Sequence, residues 1–164
     1  MIWGGGWGLA GAQIPGQVDA MNQATSSDRG MTREEIALVQ MSFAALGSSL
    51  DGFAAVLYAR LFEKNPIIES IFRGDQTTQQ ARLTEMLGVV VARLDRFDEL
   101  RPALRGLGRR HVTYGVRPKD YPVFEDALLW TLEKFLEARF TPEGKTAWHR
   151  FYAVVSGIMQ DGAE

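Results

Sequence analysis

Residues 49–64 of this 164-residue chain read SLDGFAAVLYARLFEK, and this stretch decides the fold class. Its large apolar side chains recur every three or four residues, at Phe53, Leu57, Tyr58, Leu61 and Phe62. That spacing places them along one face of an α-helix. The following Asn65-Pro66 ends the helix and can begin another, because proline is tolerated at the first helical position. The stretch therefore predicts one amphipathic helix that ends near residue 64.

The helical period continues on both sides of this stretch. Upstream, Thr32 and Glu35 have the spacing of a capping box, which starts a helix. Downstream, the pattern predicts helices over about 78–94, within 99–113, from 117 to about 138 and from 141 to about 160. The first of these carries one inward face, made of Gln79, Leu83, Met86, Leu87 and Val90. No two-residue alternation bounded by hairpin turns follows residue 30, so we predict an all-α domain.

Composition excludes several classes of protein. The length fits one domain. The chain has 18 Lys and Arg against 20 Asp and Glu, and this net charge of −2 argues against a nucleic-acid scaffold. The absence of cysteine excludes disulfides, thiolate nucleophiles, cysteine-ligated zinc and iron–sulfur clusters. The strong metal ligands that remain are His111, His149 and the carboxylates.

Residues 1–30 differ in composition from the rest of the chain. They hold seven of the 17 glycines and three charged residues, and glycine loses the most entropy on ordering. We expect a disordered extension or leader followed by a domain over 31–164. Trp3 and Trp7 leave open that the extension docks on a partner, on a membrane surface or on its own domain, with the membrane the least favoured. No apolar run approaches the ~18–20 residues of a membrane span, so we expect none, and a cytoplasmic protein.

A set of short motifs follows one another in a fixed order along the domain. They are LYARLF (57–62), Asn65-Pro66, Ile71-Phe72, Gln79 with Leu83, LGRRHVTYGV (107–116), Tyr121-Pro122 and Trp148 with Tyr152. In this order and at these spacings, residues 33–160 resemble the globin family, and within it the single-domain bacterial haemoglobins similar to flavohaemoglobin haem domains. The resemblance implies a three-over-three helical sandwich around one b-type haem.

The resemblance also implies a role for each matching side chain. His111 corresponds to the proximal iron ligand. Tyr58 and Gln79 correspond to the distal polar pair above the iron, with Leu83 as their apolar neighbour. The other residues that we expect to contact the cofactor are Phe72, Leu107, Arg110, Val116, Tyr121 and Phe124.

One part of the family pattern is incomplete here. In flavohaemoglobin-like members a tyrosine and a late glutamate hold the proximal imidazole. Tyr121 corresponds to that tyrosine, but only Asp161 and Glu164 lie near the place of the glutamate.

The residue types agree with these roles. Haem needs an apolar slot, an imidazole on the iron and cations near its propionates, and His111 follows two arginines. Taken alone, a histidine such as His111 is more often a core or surface residue than a metal ligand. The less favoured alternatives for Tyr58 and Gln79 are a core aromatic and an exposed helix residue. We expect His149 to face solvent. Because Tyr58 and Gln79 offer hydrogen-bond donors, they would hold O₂ tightly, and glutamine is a poor iron ligand, so the ferrous site should stay open.

Three functions remain open at this point. The first is a haem-b globin that reversibly binds O₂, CO or NO, as an oxygen-binding or oxygen-transport protein, monomeric or dimeric. The second is a nitric-oxide dioxygenase, which converts O₂ and NO to nitrate with Tyr58 and Gln79 as catalytic residues. It would need a separate reductase, because we find no flavin or nicotinamide domain in this sequence. The third is a haem-free globin-fold sensor or interaction module.

Overall fold

The computed structural model describes Trp3 and residues 30–164. The expectation of a disordered extension or leader concerns residues 1–30, of which 1, 2 and 4–29 lie outside the described residues. Trp3 is buried against the domain, with 5% of its surface exposed. The described structure therefore includes one side chain of the extension together with the whole predicted domain.

The domain is all-α, as predicted, and the described residues contain no strand. Its helices are α1 (Arg33–Leu46), α2 (Leu50–Lys64), α3 (Pro66–Glu69), α4 (Gln76–Ala92), α5 (Arg101–Thr113), α6 (Tyr121–Leu136) and α7 (Pro142–Asp161). Shorter 3₁₀ turns join several of them, at Gly47–Ser49, Leu94–Leu100, Pro118–Asp120 and Glu137–Arg139.

Local capping sets where the helices begin. The predicted capping box at α1 is present: the Glu35 amide donates to Thr32 Oγ1 (3.1 Å), and the Thr32 amide donates to Glu35 Oε2 (2.9 Å). Helix α4 begins at residue 76, earlier than predicted, because the Asp75 carboxylate accepts from the Thr78 amide (2.8 Å). Helix α6 begins at residue 121, later than predicted, because the chain after Arg117 first makes a 3₁₀ turn.

The helices pack as three over three, with α1, α4 and α5 against α2, α6 and α7. Gly108 sets the contact between α5 and α7. A Cβ atom at Gly108 would collide with the backbone carbonyl of Met159, so the two helices approach at backbone distance. After α5, Gly115 adopts a positive φ of 94°, a conformation that favours glycine, and turns the chain toward α6. These two glycines fix the position of the end of α5, which carries His111.

The expectation that no segment is apolar enough for a membrane span is wrong for one stretch. Arg33–Lys64 has the length and composition of a span, because 18 consecutive residues within it have a mean hydropathy of 1.3, and 17% of these are buried. In the fold this stretch comprises α1 and α2, which a 3₁₀ turn at Gly47–Ser49 separates. Core helices of globular proteins meet the same criteria, and α2 contributes Phe53 and Leu57 to the core.

Candidate functional site

An apolar cavity of about 70 Å³ lies between the two helical layers. Side chains from α2 to α7 border it, including Leu61, Phe72, Met86, His111 and Phe124. Three further residues that line the cavity carry polar groups: Asp120, Tyr121 and Tyr152. The cavity therefore combines an apolar wall with a small polar group around the end of α5.

His111 is the imidazole that faces this cavity, and it is 6% exposed. Its Nδ1 lies 2.9 Å from the carbonyl oxygen of Leu107, one turn earlier in α5. A carbonyl only accepts, so Nδ1 carries the proton and Nε2 carries the lone pair. Among the described residues Nε2 has no hydrogen-bond partner. The pKa of His111 is lowered to about 4, mainly by burial; the Leu107 bond opposes this shift and the charge of Arg110 adds to it. The imidazole is therefore neutral and can bind a metal.

The pKa of His111 predicts a pH dependence in the haem-free protein. Its folded-state pKa of about 4 lies below the ordinary value of 6.5, so between these values the unfolded chain binds a proton that the folded chain does not. The free energy of unfolding should fall as the pH drops from about 6.5 to 4, by on the order of 3 kcal/mol from this group. Urea unfolding at several pH values measures it. His111→Gln is the control, because its free energy of unfolding should depend less on pH than that of the wild type. An equal pH dependence in the two proteins would contradict the lowered pKa of His111.

Tyr121, the tyrosine predicted to lie near the proximal histidine, is a neighbour of the His111 imidazole. The two rings are stacked with centroids 6.4 Å apart, and burial raises the pKa of Tyr121. The Tyr152 hydroxyl donates to the backbone carbonyl of Tyr121 (2.9 Å), which ties α7 to the start of α6. Asp161 and Glu164 are both exposed. The late acidic partner thus stays a prediction.

Two carboxylates near this group, one buried and one half-buried, were not predicted. Asp120 is 4% exposed and borders the cavity. Its Oδ2 accepts from the Arg117 amide (2.9 Å), while its Oδ1 has no partner among the described residues. On α6, Glu125 Oε1 lies 2.6 Å from Nδ1 of His149, which is exposed as predicted. The spacing of Arg117, Pro118 and Asp120 is the signal that could have indicated the first of them, because it is typical of a capped turn.

Tyr58 lies on α2 and is buried, with 3% of its surface exposed. Its ring packs edge-on against Phe72 (centroids 5.1 Å apart). Its hydroxyl accepts a hydrogen bond from Trp3 Nε1 (2.7 Å) and donates a longer one to the backbone carbonyl of Gln79 (3.4 Å). Burial raises the pKa of Tyr58, while the Trp3 bond opposes that shift. The phenol is therefore protonated and able to donate.

Gln79 is buried at 3% exposure, so the alternative of an exposed helix residue is wrong. Its Nε2 donates to the carbonyl of Arg73 (3.3 Å) in the preceding loop, and its Oε1 has no partner among the described residues. Leu83 is fully buried one turn further along α4. Gln79 and Tyr58 are therefore neighbours, but the bond between them uses the Gln79 backbone.

The remaining candidates divide into two groups. Phe72, Val116 and Phe124 border the cavity with His111 and Tyr121. Leu107 and Arg110 do not border it, nor do Tyr58, Gln79 and Leu83. Leu107 is fully buried and acts through its carbonyl on His111. Arg110 is half-buried, and its Nε has no partner in the described part of the chain.

Trp3 is a residue of this site that the helical pattern of the sequence did not predict. Its ring lies against His111 in an edge-on contact (centroids 4.9 Å apart), and its Nε1 reaches the Tyr58 hydroxyl. The sequence left docking of the extension on its own domain open, and Trp3 supports that alternative. Trp3 therefore stands between the predicted proximal and distal residues.

The chemistry of this site fits one class of protein. The site has a neutral imidazole whose Nε2 has no hydrogen-bond partner among the described residues, and an apolar cavity beside it. A protonated phenol, Tyr58, is joined to this imidazole through Trp3, and together these features match the needs of a haem-binding pocket. Comparison with known proteins agrees: the sequence model of the Globin family matches residues 55–159. The chain belongs to the globin family, and membership implies binding of haem and of ligands at haem.

Similar proteins include neuroglobins and a flavohemoprotein. The chain is 28% identical over 139 residues to a neuroglobin of Tetraodon nigroviridis, which covers 76% of this chain and 87% of that protein. It is 26% identical over 156 residues to a neuroglobin of Danio rerio, or 87% and 94% of the two chains. It is also 26% identical over 111 residues to a flavohemoprotein of Bacillus subtilis, but this match covers 63% of this chain and 28% of that protein. The narrower resemblance to bacterial haemoglobins stays a prediction.

Proposed function

We propose that this protein is a haem-b globin that binds O₂ reversibly, with CO and NO as further ligands. The observation that supports this most directly is the buried, neutral His111, whose Nδ1 is bonded to Leu107 and whose Nε2 has no hydrogen-bond partner among the described residues. A backbone carbonyl on one imidazole nitrogen orients the other toward a metal, as is usual for metal-bound histidine.

Haem, when bound, supplies the iron at which the diatomic ligand is held, and the chain supplies its surroundings. On the proximal side, Leu107 fixes the tautomer of His111, and the stacked Tyr121 ring restricts its rotation. Phe72 would pack on the face of the cofactor. The half-buried Arg110, whose Nε is unpaired among the described residues, is available to a propionate.

On the distal side we propose Tyr58 as the main hydrogen-bond donor to the ligand. Its raised pKa keeps the O–H in place at neutral pH, and burial strengthens the bond it can make. Gln79 is the second donor in this proposal. Its amide must first leave the Arg73 carbonyl, so its contribution should be the smaller of the two.

Absorption spectroscopy of the purified protein with added hemin tests this function. We expect haem uptake at one equivalent, a five-coordinate ferrous spectrum after reduction, and reversible spectral changes with O₂ and CO. A six-coordinate ferrous spectrum would contradict the open site. Absence of haem uptake would favour a haem-free sensor or interaction module.

Nitric-oxide dioxygenation is the second candidate, and the similarity to a flavohemoprotein favours it. In this case Tyr58 and Gln79 would be catalytic residues, and a separate reductase would return the iron to the ferrous state. Sustained NO consumption with a reductase supports this activity, and a single stoichiometric turnover overturns it. For either function we propose a cytoplasmic protein, monomeric or dimeric.

A further inference from the structure

Trp3 links the two sides of the haem site. Its ring contacts the His111 ring at 4.9 Å and the Phe124 ring at 6.4 Å between centroids, and its Nε1 donates to Tyr58 at 2.7 Å. Only 5% of the side chain is exposed. The indole therefore donates a hydrogen bond to the Tyr58 hydroxyl and, at the same time, packs against the His111 imidazole.

The space left beside Trp3 is too small for haem. The cavity that Trp3 borders has a volume of about 70 Å³, which suits only a few water molecules. Iron on His111 Nε2 and a ligand near the Tyr58 hydroxyl would both need the region that the indole fills. Haem and Trp3 therefore exclude one another from this site.

We propose that Trp3 is an internal plug of the haem site, which closes the pocket in the haem-free protein and leaves it when haem binds. This inference rests on the proposed haem-binding function. Trp3 and Gly30 are separated by 26 residues of sequence, and an extended chain of that length spans roughly 90 Å, which is enough for release. Gly30 is held on the domain, because its carbonyl accepts from Arg150 Nε on α7 (2.6 Å).

The plug has opposite effects on the two states of the protein. In the haem-free state it buries an indole and fills an apolar cavity, so it stabilises the fold. Haem must compete with the plug, so the apparent haem affinity equals the affinity of the open pocket multiplied by the fraction of molecules in which the pocket is open. A plug that is closed in nine molecules of ten weakens haem binding tenfold. A residue with a merely structural role would instead support both states.

Haem uptake by the full-length chain and by Trp3→Ala tests the plug. With hemin as the probe, we expect Trp3→Ala to take up haem about tenfold faster and to bind it correspondingly tighter in competition with a haem scavenger. The same substitution should lower the melting temperature of the haem-free protein. Trp7→Ala, in the same extension, is the matched control and should behave like the wild type. Trp3→Phe, which keeps an aromatic ring but lacks the indole N–H, should be intermediate.

A second measurement follows Trp3 without relying on haem uptake. In ¹⁵N spectra of the haem-free protein, the indole N–H of Trp3 should be protected from hydrogen exchange, and the signal should move and lose protection when hemin is added. Haem uptake by Trp3→Ala at the wild-type rate, or an indole that stays protected in the loaded protein, overturns the plug but leaves the proposed function intact. Failure of every variant to take up haem overturns both.

Discussion

His111→Gly is expected to abolish stable haem binding, and added imidazole is expected to restore it. The reason is the geometry of α5: His111 is an imidazole that borders the cavity, and its Nε2 carries the lone pair that would bind the iron. Loss of that bond should weaken haem retention by about a hundredfold or more, which corresponds to about 2.7 kcal/mol. Transfer of haem to a scavenger, followed by absorption spectroscopy, measures it.

Imidazole rescue separates a lost ligand from a damaged fold. Glycine inside a helix costs about 1 kcal/mol, so the variant should be somewhat less stable. Imidazole has no way to repair that loss, but it fits the space the side chain leaves. His149→Gly is the matched control, since His149 is exposed on α7 and pairs with Glu125. Unchanged haem retention in His111→Gly, or loss in His149→Gly, would show that the proximal ligand is assigned to the wrong residue.

The helices could be predicted from the sequence because each one buries a row of apolar side chains against a neighbouring helix. The interval from Phe53 to Leu61 predicts α2 directly, and its end at Asn65-Pro66 follows from backbone chemistry. The beginnings of α4 and α6 were less well predicted. They depend on which side chain accepts hydrogen bonds from the free amides of the first turn. At α4 this side chain is Asp75, and hydrophobic periodicity carries no information about that contact.

The candidate site was predicted to a different degree on its two sides. His111 on α5 and Tyr121 on α6 lie where the helical register of each helix places them, and their rings are neighbours. Packing against the other helices fixes which face of each helix points inward. Gln79 shares the inner face of α4, yet its amide turns to the Arg73 carbonyl, because a long polar side chain follows the nearest acceptor. Trp3 lies in a glycine-rich segment with no period, so its contact with His111 depends wholly on tertiary structure.

Tyr58→Phe is expected to speed O₂ dissociation by roughly 10- to 150-fold, which is the largest effect we expect on the distal side. A hydrogen bond to a charged or strongly polar acceptor contributes about 1.5–3 kcal/mol, and stopped-flow displacement of O₂ by CO measures its loss. The fold should tolerate the change, because phenylalanine keeps the ring contacts with Phe62 and Phe72. Tyr114→Phe, at the end of α5, is the matched control and should leave the rate unchanged.

The same substitution separates the two tasks of the Tyr58 hydroxyl. In the haem-free protein this oxygen accepts from Trp3, whereas in the loaded protein we propose that it donates to the ligand. Tyr58→Phe should therefore speed haem uptake as well as O₂ release, while Gln79→Leu should speed O₂ release alone, and by less. In combination with Trp3→Ala, Tyr58→Phe should add little to the uptake rate, because the two residues share one bond. Full additivity in uptake would mean that they act independently, and an unchanged O₂ dissociation rate would remove Tyr58 from the distal site.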